Sequence, residues 1–351
     1  MRIIAVEEHF LDPEIAAATA PALKELSPDF AAAFIATGDF PPPEVAQGLG
    51  ERRIADMDDS GIGMQVLSCP NAQLLPPESA VEVARHVNDK AADATRRHPD
   101  RFAAFAALPT AVPDAAADEL ERCVTELGFV GTLITGRTEG EFLDAPRFDP
   151  ILKSAADLDV PIYLHPAVPP WAITCACYAG GLSPIVTARL QTSAWGWHQE
   201  TATHFLRLVL SGVLDRYPQL QFILGHWGEM VPFFLDRINA ELPQRVTKLD
   251  RPFIDYFHDN VYITPSGMFS QAQLQYCLET LSIDRILFST DYPILPMAGS
   301  TGFLDEANIP DEYKRKIAYE NAERLLRLTR KGDPDNRLAD NKNGPVPTVV
   351  S

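Results

Sequence analysis

Residues 3–9 read IIAVEEH, a run of strand-favouring apolar residues that ends in two carboxylates and an imidazole where a buried strand would continue with Val or Ile. Side chains two apart on a strand share a face, so Glu7 and His9 point together while Glu8 points the other way. Similar short runs recur along the chain: MQVLS (64–68), FAAFAAL (102–108), FVGTLIT (129–135), PIYLHP (161–166), QFILGH (221–226), VYITPS (261–266) and RILFSTD (285–291). Between most of them lie segments with apolar residues at three- and four-residue spacing, such as ESAVEVARHVNDKAADATRRH and QETATHFLRLVLSGVLDRY, which predict amphipathic helices. Eight strands alternating with helices predict an α/β fold with a parallel sheet closed into a (β/α)8 TIM barrel.

Two connections are too long for simple loops. Residues 10–52, with the Pro41-Pro42-Pro43 run, predict a small helical insertion after strand 1, and residues 167–198 predict a lid after strand 5. The expected organisation is a single barrel domain over 1–329, followed by a polar, Gly- and Pro-containing flexible tail over 330–351.

Composition narrows the class. The chain is 46% hydrophobic, ample for a core, yet contains no apolar run long enough to cross a bilayer. The opening MRIIAVEEHF lacks the features of a secretory signal, so a cytoplasmic location is expected. Five cysteines spread over the chain fit reduced thiols, and Cys175-x-Cys177, with no second pair, reads as loop cysteines. A net charge of −18 argues against nucleic acid and anionic membrane as partners. An anionic substrate would then need a local cationic group.

The strand ends carry the chemistry. Strand five ends in His165, strand six in His226 and strand eight in Asp291, beside Glu7 and His9 on strand one. In barrels of this type those ends form the mouth where catalysis is placed. A lone polar residue there commonly hydrogen-bonds its own loop. Several acids and imidazoles buried together without a cation would leave charges uncompensated, so the set predicts a divalent metal site.

"EEH", "YLHP", "LGHWGE" and "FSTDYP", in this order, resemble the amidohydrolase superfamily, and more narrowly its branch of metal-dependent, cofactor-free aromatic decarboxylases. That branch includes the aminocarboxymuconate-semialdehyde, γ-resorcylate and 5-carboxyvanillate types; "WGWHQETATHFLRLVLSGVLDRYPQLQFILGHWGE" is most similar to the γ-resorcylate type. The resemblance implies Glu7, His9, His165 and Asp291 as metal ligands, His226 as a catalytic acid/base, Glu229 as the residue that orients it, and Arg237 as an active-site arginine for the substrate carboxylate. Many relatives open with His-x-His; Glu-x-His is the form of the benzoate-type decarboxylases, and its hard oxygen tilts the metal toward Mn²⁺, with Zn²⁺ or Mg²⁺ as alternatives. Binuclear members carry a modified lysine on strand four; FVGTLIT has none, so one divalent ion per subunit is expected.

The implied activity is non-oxidative decarboxylation of a hydroxylated aromatic acid of the γ-resorcylate or hydroxybenzoate kind, with Asp291 protonating the ring carbon. The alternative is a metal-dependent hydrolase or hydratase acting through an activated water on an amide, ester, lactone or alkene. The expected partner is a small aromatic acid, and the resemblance implies a homodimer or homotetramer. From position alone, Glu229 falls in the first turn of a helix, where the dipole favours any carboxylate, and Arg237 falls within a helix, where a partner four residues away is the default. Trp195, Trp197 and Trp227 suit either a wall for an aromatic ring or core packing, and Phe10 is placed to line the pocket. His198 and His204 read as structural, with His198 placed to reach the pocket from the lid.

Overall fold

The structure, a computed structural model, describes residues 1–35, 38 and 40–328; the expected tail lies outside the described residues. Its parallel strands are β1 (Ile4–His9), β2 (Met64–Ser68), β3 (Phe102–Ala104), β4 (Thr132–Thr135), β5 (Ile162–His165), β6 (Phe222–Leu224) and β7 (Val261–Ile263). They pair in two groups, β1-β2-β3 and β4-β5-β6-β7. Single bridges join the groups, at Ala106–Thr132 on one side and through residues 286 to 288 on the other, where Ile286 meets Ile263 and Phe288 meets Ala5. The ring closes as a (β/α)8 barrel. The eighth run therefore contributes isolated bridges rather than a continuous ladder.

Helices cover the barrel. The first insertion supplies α1 (Pro13–Leu26), α2 (Phe30–Phe34) and α3 (Pro43–Ala46), and α4 (Glu51–Asp59) leads into β2. Then come α5 (Pro77–Arg97), α6 (Pro113–Thr125) and α7 (Asp149–Asp157). The connection after β5 folds as α8 (Trp171–Cys177) and α9 (Pro184–Gln191) before α10 (Gly196–Leu210). In α5, Pro77 opens the first turn beside Glu78, Arg96 and Arg97 occupy the last, and Ala80, Val83, Ala84, Val87 and Ala91 form the buried stripe. Cys175 and Cys177 lie on exposed α8 rather than in a loop, and all five cysteines are free thiols. Among the described residues no helix is long and apolar enough to cross a membrane.

Strand alternation separates two apolar layers. Ile4, Val6, Met64, Val66, Phe105, Leu133, Tyr163, Ile223, Tyr262 and Leu287 fill the barrel interior. Ala5, Leu67, Ile134, Leu164, Leu224, Ile263 and Phe288 pack outward against the helices. Burying such side chains contributes about 1.5–3 kcal/mol each. Simple alternation in β1 would send Glu7 and His9 outward, since Ile4 and Val6 point in. A β-bulge prevents this: Ala5 pairs with Gln65 but Glu8 with Leu67, so two residues of β1 oppose one of β2. Beyond the bulge, Glu8 lies outward like Leu67, and Glu7 and His9 turn into the mouth.

Candidate active site

The bulge brings Glu7 and His9 to His165 at the end of β5 and to Asp291 after the eighth segment. One ligand atom from each of the four lies within 4.8 Å of the others. His9 Nε2 is 3.2 Å from Asp291 Oδ1, and His165 Nε2 is 3.5 Å from Glu7 Oε1. Both imidazoles are fixed from behind. His165 Nδ1 lies 2.8 Å from the Pro166 carbonyl, which only accepts, so Nδ1 carries the proton and Nε2 keeps its lone pair. His9 Nδ1 is 2.8 Å from the Ser68 hydroxyl.

Beneath Glu7 lies a floor of hydroxyls. Ser266 Oγ donates to Glu7 Oε2, Ser289 Oγ reaches the same oxygen at 3.4 Å, and Thr264 lies 2.9 Å from Ser266 and 2.8 Å from Ser289. One Glu7 oxygen is thus held while Oε1, like His9 Nε2, is buried with no hydrogen-bond partner among the described residues. Room for this carboxylate depends on Gly225, where a Cβ would fall 2.6 Å from Ser266 Oγ and 3.2 Å from Glu7 Oε1.

Burial pushes the Glu7 carboxyl up and the His165 imidazole well down, the latter reinforced by His9 and His226. Two carboxylates, two imidazoles held at Nδ1 from behind and two orphaned buried atoms make a donor set that fits one divalent cation.

A second constellation adjoins the first. Residues 226–230 run through five consecutive positive φ values: His226 (49°), Trp227 (58°), Gly228 (80°), Glu229 (53°) and Met230 (66°). Each non-glycine residue there costs about 1–2 kcal/mol, so tertiary contacts must hold the turn. Trp227 N donates to the Thr264 carbonyl at 2.8 Å, its indole N–H to the Met268 carbonyl at 2.7 Å, and His226 N to Ser266 Oγ at 2.9 Å. Glu229 is therefore not in the first turn of a right-handed helix, and dipole stabilisation does not explain it. Its two oxygens instead bind two imidazoles: Oε1 meets His226 Nδ1 and Oε2 meets His198 Nδ1, both at 2.8 Å. Burial alone would lower the His226 pKa, but Glu229, with Glu7 and Asp291, lifts it to about 9. Burial would likewise raise Glu229, yet the two imidazoles hold it below the usual carboxylate range.

The remaining candidates divide. Arg237 is not brought to the cluster within this chain. It lies on the outer face of the helix Val231–Glu241, its side chain 75% exposed, 3.2 Å from Glu241 four residues on. That helix buries Val231, Pro232 and Leu235 instead, which turns Arg237 to solvent. His198, placed by the sequence to reach the pocket from the lid, stands at the start of α10 and joins Glu229. His204 accepts from Leu143 N at 3.0 Å and is structural; burial and Arg137 hold it at about 3. Trp227 and Phe10 are core residues, Trp195 is exposed, and Trp197 stacks on Phe34 of the first insertion.

Residues 31–328 match the family described as Amidohydrolase. A γ-resorcylate decarboxylase of Rhizobium radiobacter is 38% identical over 305 residues, 80% of this chain and 88% of that one. The fold superimposes on a dihydroxybenzoic acid decarboxylase of Polaromonas sp. JS666, solved with bound manganese and the inhibitor 2-nitroresorcinol, with a TM-score of 0.79 and 34% identity over 93% of this chain and 97% of that one. It also matches a 5-carboxyvanillate decarboxylase of Novosphingobium aromaticivorans complexed with manganese and 4-hydroxy-3-methoxy-5-nitrobenzoic acid, with a TM-score of 0.83 and 30% identity over 93% and 96% of the two chains. The chain belongs to the amidohydrolase family, within its branch of aromatic-acid decarboxylases, which are carboxy-lyases.

Proposed function

We propose that this chain is a non-oxidative decarboxylase of an ortho-hydroxylated benzoate, of the γ-resorcylate kind, that works with one divalent metal ion, Mn²⁺ by preference. The observation that carries this reading is the pair of unpartnered buried atoms, Glu7 Oε1 and His9 Nε2, facing His165 and Asp291 at the barrel mouth. Glu7, His9, His165 and Asp291 would hold the ion. When bound, it would supply a Lewis acid to anchor an aromatic acid and offset its negative charge.

The side chains perform the proton chemistry. Asp291, in its protonated form, gives its proton to the ring carbon that bears the carboxylate. The C–C bond then breaks, CO2 leaves, and the bonding pair returns to the ring as aromaticity is restored. His226, whose Nδ1 proton is held by Glu229 and which feels the charges of Glu7 and Asp291, would polarise a substrate hydroxyl or return a proton to Asp291. Glu229 keeps that imidazole in place.

The test is CO2 release from 2,6-dihydroxybenzoate by Mn²⁺-loaded protein, with Asp291→Asn expected to retain the ion and lose turnover. Acid release from esters or lactones without CO2 would assign hydrolysis instead. Full activity in Asp291→Asn would remove the proton-donor role.

A further inference from the structure

Glu8 is the carboxylate left over. It lies between two proposed ligands in sequence, points to the opposite side of β1 and is fully buried. A buried carboxylate is costly unless its oxygens are filled. They are: Oε1 accepts from Thr290 N at 2.8 Å, and Oε2 from the Thr290 hydroxyl at 2.6 Å and from Gln65 Nε2 at 3.1 Å. Gln65 in turn accepts from Arg53 Nε at 2.6 Å, and Arg53 donates to the His9 carbonyl at 2.7 Å from α4, its guanidinium lying over the Tyr292 ring.

Two unusual backbone features meet at this network. One is the β1 bulge that turns Glu7 and His9 inward, flanked by the Ala5–Gln65 and Glu8–Leu67 pairs. The other is Asp291, a non-glycine residue at φ 63°, directly after Thr290. Such a conformation persists only where the surroundings over-determine it. Glu8 grips Thr290 through both its amide and its hydroxyl, and Gln65 opposite the bulge through its amide. Backbone bonds complete the frame: Asp291 N donates to the Glu7 carbonyl at 3.1 Å and His9 N to the Tyr292 carbonyl at 2.6 Å.

We infer that Glu8 is a positioning residue, which locks the bulge of β1 to the left-handed Asp291 and so fixes three of the four proposed metal ligands relative to one another. The inference rests on the metal reading above and extends it to residues on the far face of the strand. Gln65 and Arg53 extend the same clamp to α4.

The test uses the full chain carrying Thr290→Val, which removes one hydroxyl at nearly constant shape, Thr290→Ser, which keeps it, and Glu8→Gln. Mn²⁺ affinity is measured by titration, the bound ion by electron paramagnetic resonance, and folding by thermal melting. Thr290→Val and Glu8→Gln are expected to weaken Mn²⁺ binding about 10- to 100-fold and to alter the resonance of the bound ion. Thr290→Ser is expected to restore both to the parent values. Parent-like affinity and resonance in Thr290→Val and Glu8→Gln would overturn the inference, as would an equal loss in Val and Ser variants that tracks melting temperature. A parent chain that binds no Mn²⁺ would remove the metal reading itself and the clamp with it, an outcome distinct from the other two.

Discussion

Two pairs of histidines stand side by side at the barrel mouth, and they are held in opposite ways. His9 and His165 meet edge to face with ring centroids 4.6 Å apart; His198 and His226 do so at 4.4 Å. What separates them is the partner of Nδ1. In the first pair it is a serine hydroxyl and a backbone carbonyl, both neutral, so burial keeps His165 uncharged and a lone pair faces inward. In the second pair both Nδ1 atoms share the Glu229 carboxylate, which outweighs burial and keeps a proton on His226. One residue type thus presents a lone pair or keeps a proton according to the charge behind it.

The contrast breaks most sharply at a ligand. His165→Ala is expected to lower Mn²⁺ affinity on the order of 100-fold or more, above the range for residues that merely support ligands, as read by metal analysis after dialysis. Glu229→Gln is expected to keep the ion but slow turnover about 100-fold, the usual worth of a positioned acid/base. It also removes the anion that raises His226, so the limb of the pH–rate profile that reports His226 moves to lower pH. His198→Phe has the opposite sign and a smaller size: Glu229 loses a competing donor, His226 holds its proton more tightly, and the same limb moves to higher pH. If both variants shifted it in one direction, the shared-carboxylate account would fail. The smallest effect lies outside both pairs, where Arg237→Ala removes an exposed pair with Glu241 and should change folding stability by less than about 1 kcal/mol in denaturant titration.

The barrel and the strand ends that carry the candidate metal cluster were legible in the sequence because each depends on local pattern. Apolar runs of four to seven residues mark strands, and a charged residue at the end of such a run stands out against them. Three things were not legible. The bulge in β1 is a property of pairing with β2, and nothing in IIAVEEH distinguishes a regular strand from one that slips by a residue. The left-handed turn at 226–230 contains a single glycine, so the sequence favoured an ordinary helix start and placed Glu229 in its first turn. His198 reaches Glu229 from a helix that follows two lid helices, a contact set by tertiary folding alone. Arg237 shows the converse: a motif can align a residue whose side chain, on the face its helix presents, points to solvent.

The bulge has an evolutionary corollary. By inserting half a repeat into one strand, it uncouples the greasy filling of the barrel from the chemistry above it. Mutations can rework Ile4, Val6 and their neighbours without disturbing the donor atoms, whereas a regular pairing of the same residues with β2, without the bulge, would swap the two faces of the strand's end. Glu7 and His9 would then be delivered to the helical jacket and Glu8 to the mouth, so loss of the bulge at unchanged chain length should abolish ion binding while leaving every proposed ligand present in the sequence.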